Sequence, residues 1–389
     1  MSQNTLTRPV WAEINLDALA YNMRAVRKCI KPSTLASAVI KADGYGHGAV
    51  QIAGVLLDNG ADRLAVATLS EAVQLRRVYG DTEIMILGYT PNENAEEVIG
   101  NGLIQTVYHI EQAVFLNQKA MEMNRKLKVH VKLDTGMRRI GMAITEETVA
   151  QIIEMTTFSH LIIEGLFTHF AVADETDKAF THTQVERFKW VADRLEAQGV
   201  SIPIKHVANS ATIIDCPEYQ FDMVRAGIML YGLYPSKDVN HKAVSLKEVM
   251  SLRAQISHVK YVEAGEGISY GLIYKTCEKE QIATLPLGYA DGFARGYTGL
   301  AKAIVKGKIK PVIGRICMDQ CMLSVTGIDV NVGDVVTLFG TEGTQVISID
   351  EYADMIGTIN YEVVCMISKR VLRVYKKEDK IVAVIDYLR

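Results

Sequence analysis

Residues 36–48 read Ala-Ser-Ala-Val-Ile-Lys-Ala-Asp-Gly-Tyr-Gly-His-Gly. The first five are an apolar run of strand length, Lys41 closes it, and glycines at 44, 46 and 48 break the chain out of regular structure. On either side the same alternation of apolar run and helical period continues. Before it, Leu16, Leu19, Met23, Val26 and Ile30 recur at helical spacing behind Asp17, which the pattern predicts as the cap. After it come helices near 49–58, 69–79 and 93–101. Strands are predicted at Arg63–Thr68, Glu83–Leu87, Ile104–Tyr108, Lys128–Asp134, Leu161–Phe167, Ile204–Val207 and Met223–Ala226. Repeated strand–helix units imply parallel strands. Their number fits a closed eight-fold barrel of the (β/α)8 TIM type better than an open sheet.

Past Tyr234 the texture changes. Short β-rich segments with glycine-centred turns follow at Ala254–Val262, Gln281–Leu287, Lys302–Val305, Lys310–Ile316, Met322–Val325, Val335–Leu338 and Lys380–Ile385. A single helix, Ile349–Met355, interrupts them. The expectation is an α/β chain with an N-terminal barrel over residues 1–240 and a mainly β domain over 241–389. Pro235–Ala243 marks the boundary, and residues 10–16 are available to pair with the β domain. There is no internal repeat and no low-complexity segment.

Composition narrows the function classes. The 389 residues are 49% hydrophobic and 22% charged, as in ordinary globular proteins, and the net charge is -3. Basic residues are scattered, so no nucleic-acid or membrane partner is expected. The polar start, Met1–Val10, lacks the apolar core of a signal peptide. No apolar run reaches the ~18 residues that span a bilayer. Six dispersed cysteines show neither disulfide-scaffold density nor metal-ligand spacing. A cytoplasmic protein without a bound metal is expected.

Lys41 is the first chemical candidate. Barrel enzymes place their chemistry at the carboxyl ends of strands, and a lysine whose stem is buried there loses basicity and becomes a Schiff-base nucleophile. Alone, a strand-end lysine is more often solvated. Its company decides. AVIKADGYGHG (38–48) resembles the cofactor-lysine motif of the alanine racemase family. The resemblance continues in order through WAEINLDAL (11–19), KLDTGMRRIG (132–141), FTHFAVADE (167–175), HVANSA (206–211), VRAGIMLYG (224–232), ISYG (268–271), LGYADG (287–292), GRICMDQ (314–320) and TINYEV (358–363). One such motif is weak, but an ordered series over nearly the whole chain is specific.

The resemblance implies a pyridoxal 5'-phosphate enzyme that interconverts L- and D-alanine with two bases. It implies that Lys41 holds the cofactor and serves as one base. Tyr270 is the other, reaching the opposite face from a partner subunit, so a homodimer with shared sites is implied. Tyr45, Asn209, Ser210, the Gly227 and Ile228 amides and Tyr361 are implied to hold the cofactor phosphate. Short hydroxyls and amides at a helix start suit that dianion. Read without the family, Asn209-Ser210 is equally a helix cap and Tyr361 a core tyrosine.

Arg225 is implied to face the pyridine nitrogen and His169 to stack on or orient the ring. An arginine keeps its proton, which leaves the ring a weaker electron sink than an aspartate partner allows and suits racemisation over transamination. Arg225 acting through His169 is also the expected source of a lowered pKa at Tyr270, since a free tyrosine at about 10 is a poor base. Arg139 and the backbone of Met318 are implied to bind the substrate carboxylate. Arg138 is adjacent, and from the residues alone either guanidinium can face inward. Lys132 lies opposite the valines of Val129–Leu133. Beside Arg139 its charge is unfavourable, and the family often carbamylates the corresponding lysine. Tyr361 leaves room for a methyl side chain and favours alanine over serine. D-alanine for cell-wall peptidoglycan is the implied use. Two rivals are a barrel-type pyridoxal-phosphate decarboxylase, disfavoured by the absence of a Gly-Gly-Gly phosphate loop, and a non-catalytic carrier of the cofactor, disfavoured by the β domain.

Overall fold

The computed structural model describes residues 6–389. The polar Met1–Thr5 part of the chain start lies outside them. The chain divides into two compact units. One comprises Leu19–Gly44 and Ala49–Lys247, the other the residues up to Ala18, Tyr45–Gly48 and Glu248–Arg389.

Strand β1 (Val10–Asn15) belongs to the second unit. The first unit is built on β2 (Leu35–Val39), β3 (Arg63–Val66), β4 (Ile84–Ile86), β5 (Ile104–Val107), β6 (Leu127–Lys132), β7 (Leu161–Phe167), β8 (Ile204–His206) and β9 (Met223–Ala226). All neighbours are parallel, in the order β8-β7-β6-β5-β4-β3-β2-β9. Two backbone hydrogen bonds, Asp222 N to Lys205 O and Arg225 N to Ala208 O, each 3.0 Å, draw β9 to the β8 side and nearly close the barrel. The inner strands are buried at every position, as in β3, β4 and β5. That is why they read as continuous apolar runs and not as alternating ones. Helices Ala49–Asp58, Leu69–Arg76, Ile110–Glu122, Glu146–Thr156 and Ala179–Ala197 lie between the strands in sequence.

The second unit is an eleven-stranded sheet with a small hairpin, Gly267–Ile268 against Tyr274–Lys275. Here burial alternates, as along Met250–Gln255, the signature of a sheet with one face packed. β1 pairs antiparallel with Met250–Gln255 and parallel with Leu372–Lys377, which ties the start of the chain to this unit. Residues 45–48 are tied in the same way. Arg373, 2% exposed, donates to Gly46 O, Ser368 O, Val371 O and Ile367 O, and Tyr375 Oη donates to His47 O. The division therefore falls at Lys247/Glu248, with two outlying segments joined to the β-rich unit by strand pairing and buried hydrogen bonds.

Three local expectations change. The cap of helix Leu16–Cys29 is Asn15, whose Oδ1 accepts from Ala18 N at 2.9 Å, while Asp17 Oδ2 instead accepts from Glu378 N. The segment Ala254–Val262 is two strands, Met250–Gln255 and His258–Val262. They are separated because Ile256 N turns to Asp334 O and Ser257 N to Thr284 O. A second helix, Asn360–Met366, follows Ile349–Met355. Among the described residues no helix is long and apolar enough to cross a membrane.

Asp291 is the fully buried anion of the β-rich unit. It accepts from Arg8 Nη1 and Nη2 at 2.6 and 2.9 Å and from Gly288 N at 3.0 Å, with Arg370 Nε at 3.5 Å. Breaking a buried pair leaves the surviving charge desolvated, so Arg8→Met is expected to cost about 3 kcal/mol. Urea unfolding followed by circular dichroism measures it, and an unchanged midpoint contradicts the pairing energetics.

Candidate functional site

The carboxyl ends of the barrel strands collect most of the residues singled out in the sequence. β2 runs through the fully buried Ile40 to a half-buried Lys41. The backbone then turns left-handed at Ala42, Asp43 and Gly44 (φ 53, 53 and 62), and Tyr45 follows with φ 51. Left-handed geometry costs a non-glycine residue about 1–2 kcal/mol. Hydrogen bonds over-determine it: Gly44 N to Ile40 O, Ala42 N to Glu71 Oε1 and Ala49 N to Asp43 Oδ1. Glu71 is also the capping-box residue of helix Leu69–Arg76, its other oxygen accepting from Ala67 N and Thr68 N.

β9 carries Arg225, 4% exposed. Its Nη1 donates to His206 Nδ1 (2.7 Å) and His206 O, and its Nη2 to Thr168 O, Val207 O and His169 Nδ1 (3.3 Å). Its Nε–H has no protein partner among the described residues. Burial lowers the guanidinium pKa to about 9, still well above neutrality. His169, at the end of β7, is held well below its ordinary pKa by burial and then by Arg225 and Arg139, and is a neutral imidazole.

β6 ends on Lys132, 5% exposed, whose Nζ lies 5.5 Å from the Phe167 ring centroid. Burial, then Arg139 and Arg225, against Asp134, push its pKa down to about 7. Of the two adjacent arginines, Arg139 exerts this pressure on Lys132 and His169. Arg138 extends toward Asp134 at 3.8 Å with its side chain 71% exposed. Asn209 caps helix Ser210–Asp215, its Oδ1 accepting from Thr212 N. Ser210 Oγ accepts from Gly227 N at 3.0 Å, bringing these two together ahead of the 3-10 turn Ile228–Tyr231.

The remaining predicted residues lie in the β-rich unit. Tyr45 and Tyr361 face each other with ring centroids 6.1 Å apart. Burial, then Cys365, raises the Tyr45 pKa. Tyr270 and Met318 are 71% and 52% exposed, on neighbouring loops. Ser269 joins those loops, donating from Oγ to Arg315 O at 2.6 Å and touching Cys317 Sγ. Behind Met318, Tyr289 N and Ala290 N donate to Cys317 O and Met318 O. Gly288 permits that approach, since a Cβ there would meet both carbonyl oxygens at 2.3 Å.

The barrel end is a basic site. Lys41, Lys132, Arg139 and Arg225 act on one another or on His169 with Asp134 as the opposing carboxylate. Such a set attracts an anion with more than one negative group. Among the described residues no cluster of three or more His, Cys, Asp or Glu is placed for a metal. Sequence reading missed His130, Glu164 and His206 behind Arg225, and Glu71 beneath the left-handed turn. A signal for His130 was present: it shares a face with Lys132, two residues on, where alternation already marked an inward cation.

Comparison with known proteins covers both units. The family model "Alanine racemase, N-terminal domain" matches residues 14–235, and "Alanine racemase, C-terminal domain" matches residues 249–375. Alanine racemase 1 of Clostridium acetobutylicum is 48% identical over 98% of this chain and 99% of its own. The alanine racemase of Clostridium tetani is 49% identical, also over 98% and 99%. The solved alanine racemase of Clostridium difficile 630 superposes with a TM-score of 0.95 at 47% identity, covering 99% of this chain and 100% of that one.

Lys132 links the site to stability. Folded, it titrates at about 7, and in the unfolded chain near 10.4. Between those values the unfolded chain binds more protons, so the Lys132 contribution to stability rises with pH and its cost is full below about pH 7. In bicarbonate-free buffer Lys132→Met is therefore expected to stabilise most at about pH 6, with the gain shrinking toward pH 10. Urea midpoints across that range measure it, and a pH-independent gain contradicts the assignment.

Proposed function

The chain belongs to the alanine racemase family, and on that footing we propose that it interconverts L- and D-alanine with pyridoxal 5'-phosphate held on Lys41. The observation that carries the reading is the basic barrel end, where a half-buried strand-end lysine lies among cations that one carboxylate, Asp134, opposes. These residues fit the cofactor. The Arg225 Nε–H is a donor without a protein partner, and Ser210 and Gly227 already meet at the start of a 3-10 turn. Bound there, the cofactor supplies a ring that draws electrons from the substrate Cα and makes its proton removable.

The chain's own residues divide the remaining work. Lys41 Nζ exchanges the α-proton on one face and Tyr270 Oη on the other. Ser210 Oγ, the Gly227 and Ile228 amides, Asn209, Tyr45 and Tyr361 hold the phosphate. Arg225 gives the ring nitrogen a hydrogen bond but no proton, which favours return of the α-proton over its loss to side reactions. Neutral His169, hydrogen-bonded to Arg225, would stack on or orient the ring. Arg139 and the Met318 N–H take the substrate carboxylate. Lys132, titrating at about 7, is a neutral amine in a large fraction of molecules at neutral pH and can add carbon dioxide with release of a proton, leaving a carbamate anion beside Arg139. Tyr361 keeps the side-chain pocket small, for methyl.

Tyr270 acts from one protomer on the site of another, in a homodimer. The exposure of Tyr270, Leu272 and Ile273 on one loop supports a partner there. The protein acts in the cytoplasm, and its D-alanine supplies cell-wall peptidoglycan. The decarboxylase and carrier readings fall with the family assignment.

The test is to follow the circular dichroism of L-alanine in heavy water with the cofactor-loaded protein. The signal is expected to decay to zero while deuterium appears at Cα. A loaded protein that leaves L-alanine unchanged sinks the proposal.

A further inference from the structure

Arg225 stands at the head of a hydrogen-bond chain that crosses the barrel strands away from the ligand-facing residues. Arg225 Nη1 meets His206 Nδ1 at 2.7 Å, His206 Nε2 meets His130 Nδ1 at 2.8 Å, and His130 Nε2 meets Glu164 Oε2 at 2.9 Å. Both histidines are fully buried. Glu164 is flanked by Arg63 Nη1 at 2.7 Å and Lys128 Nζ at 3.0 Å, and Lys128 also meets Glu83 at 2.5 Å. The members come from β3, β6, β7, β8 and β9.

The protons in this chain have one consistent arrangement. Arg225 can only donate, so His206 Nδ1 is a bare acceptor. The His206 proton is then on Nε2, where it must be given to His130 Nδ1. That leaves the His130 proton on Nε2, donated to the Glu164 carboxylate. A further proton on either ring would set N–H against N–H. The surroundings agree. Burial first, then Arg225, holds His206 well below its ordinary pKa, and burial lowers His130 despite Glu164. Arg63, Lys128 and His130 in turn hold the Glu164 carboxyl low against its own burial.

Packing preserves the geometry. The Phe167 ring lies flat on His206, centroids 4.7 Å apart and planes 4° from parallel. A Cβ on Gly165 would fall 2.3 Å from His130 Nδ1, so that strand position is open for the imidazole. The β6–β7 register slips by one beside it, between Val129 and His130. Among the described residues no carboxylate hydrogen-bonds Arg225 directly. Glu164 is the anion that reaches it, through two neutral rings.

We infer that Glu164 is a positioning residue for Arg225, acting through the proton-ordered pair His130–His206 to hold the Nη1 edge of the guanidinium against the barrel and leave Nε–H for the ligand. The inference rests on the reading of Arg225 as the residue facing the cofactor ring nitrogen. Removing the Glu164 charge weakens His130 as an acceptor, and hence His206 toward Arg225, so the guanidinium presents more of its charge to the ring.

The first test uses the unmodified protein. Long-range 15N–1H spectra of histidine-labelled protein, with and without cofactor, are expected to show His130 and His206 as neutral Nε2–H tautomers throughout the neutral pH range. An imidazolium or an Nδ1–H tautomer at either position overturns the inference. The second test is Glu164→Gln in the holoenzyme. The pH titration of the bound-cofactor absorbance should shift, and racemisation should fall on the order of tenfold, mainly in kcat, as for other outer partners of a bound group. Glu164→Asp should recover much of both. A folded Glu164→Gln holoenzyme with the parent's titration and rate overturns the inference. Arg225→Lys separates the two levels. If it too leaves the absorbance titration unmoved, the reading of Arg225 fails. If it shifts the titration while Glu164→Gln does not, only the role of Glu164 fails.

Discussion

Positive charge gathered at the end of a barrel, opposed by the carboxylate of Asp134, is the constraint to which the surrounding side chains answer. Arg225 is buried and stays protonated because five hydrogen bonds from Nη1 and Nη2 replace its water. Lys132, a softer base in the same field, yields instead and approaches neutrality near pH 7. Burial first, and then the same cations, hold His169 and His206 well below their ordinary pKa. Such an arrangement is complementary to anions, which agrees with the proposed phosphate-bearing cofactor and amino-acid carboxylate.

Rigidity at this site comes from hydrogen bonds that hold unfavourable backbone in place. The left-handed turn after Lys41 persists because Glu71, already committed to a helix cap, also accepts from Ala42 N. The β-rich unit uses the same device. Ser269, beside Tyr270, has φ 66 and ψ -175, a region otherwise left to glycine. Its hydroxyl is bound to Arg315 O. In both places a side chain proposed to react stands next to strained backbone that is well anchored by hydrogen bonds, which limits its freedom.

Much of this was legible in the chain. Parallel barrel strands read as apolar runs because both faces are buried, and the predicted strands fall within a few residues of the observed ones. The misreadings share a cause. Asp17 and Asn15 are equally good caps by residue type, and the choice was made by Glu378, which is remote in sequence and claims Asp17. Helix Asn360–Met366 follows Ile359, which has no capping side chain, whereas the equally short Ile349–Met355 is marked by Ser348 at its start. Ala254–Val262 contains no Gly or Pro to mark a break, and only pairing with different neighbours divides it into two strands.

By itself, the sequence determined the barrel and β-rich architecture, the family and the residues proposed to carry the chemistry, because these reside in periodicity and in ordered local motifs. Tertiary structure alone decided which arginine presses on Lys132, that Lys132 titrates at about 7, and that Glu164 stands behind Arg225 through two histidines. Those properties depend on burial and on charges brought together from strands a hundred residues or more apart, as with Arg63 and Glu164. A pKa and a tautomer belong to such a surrounding and not to a residue.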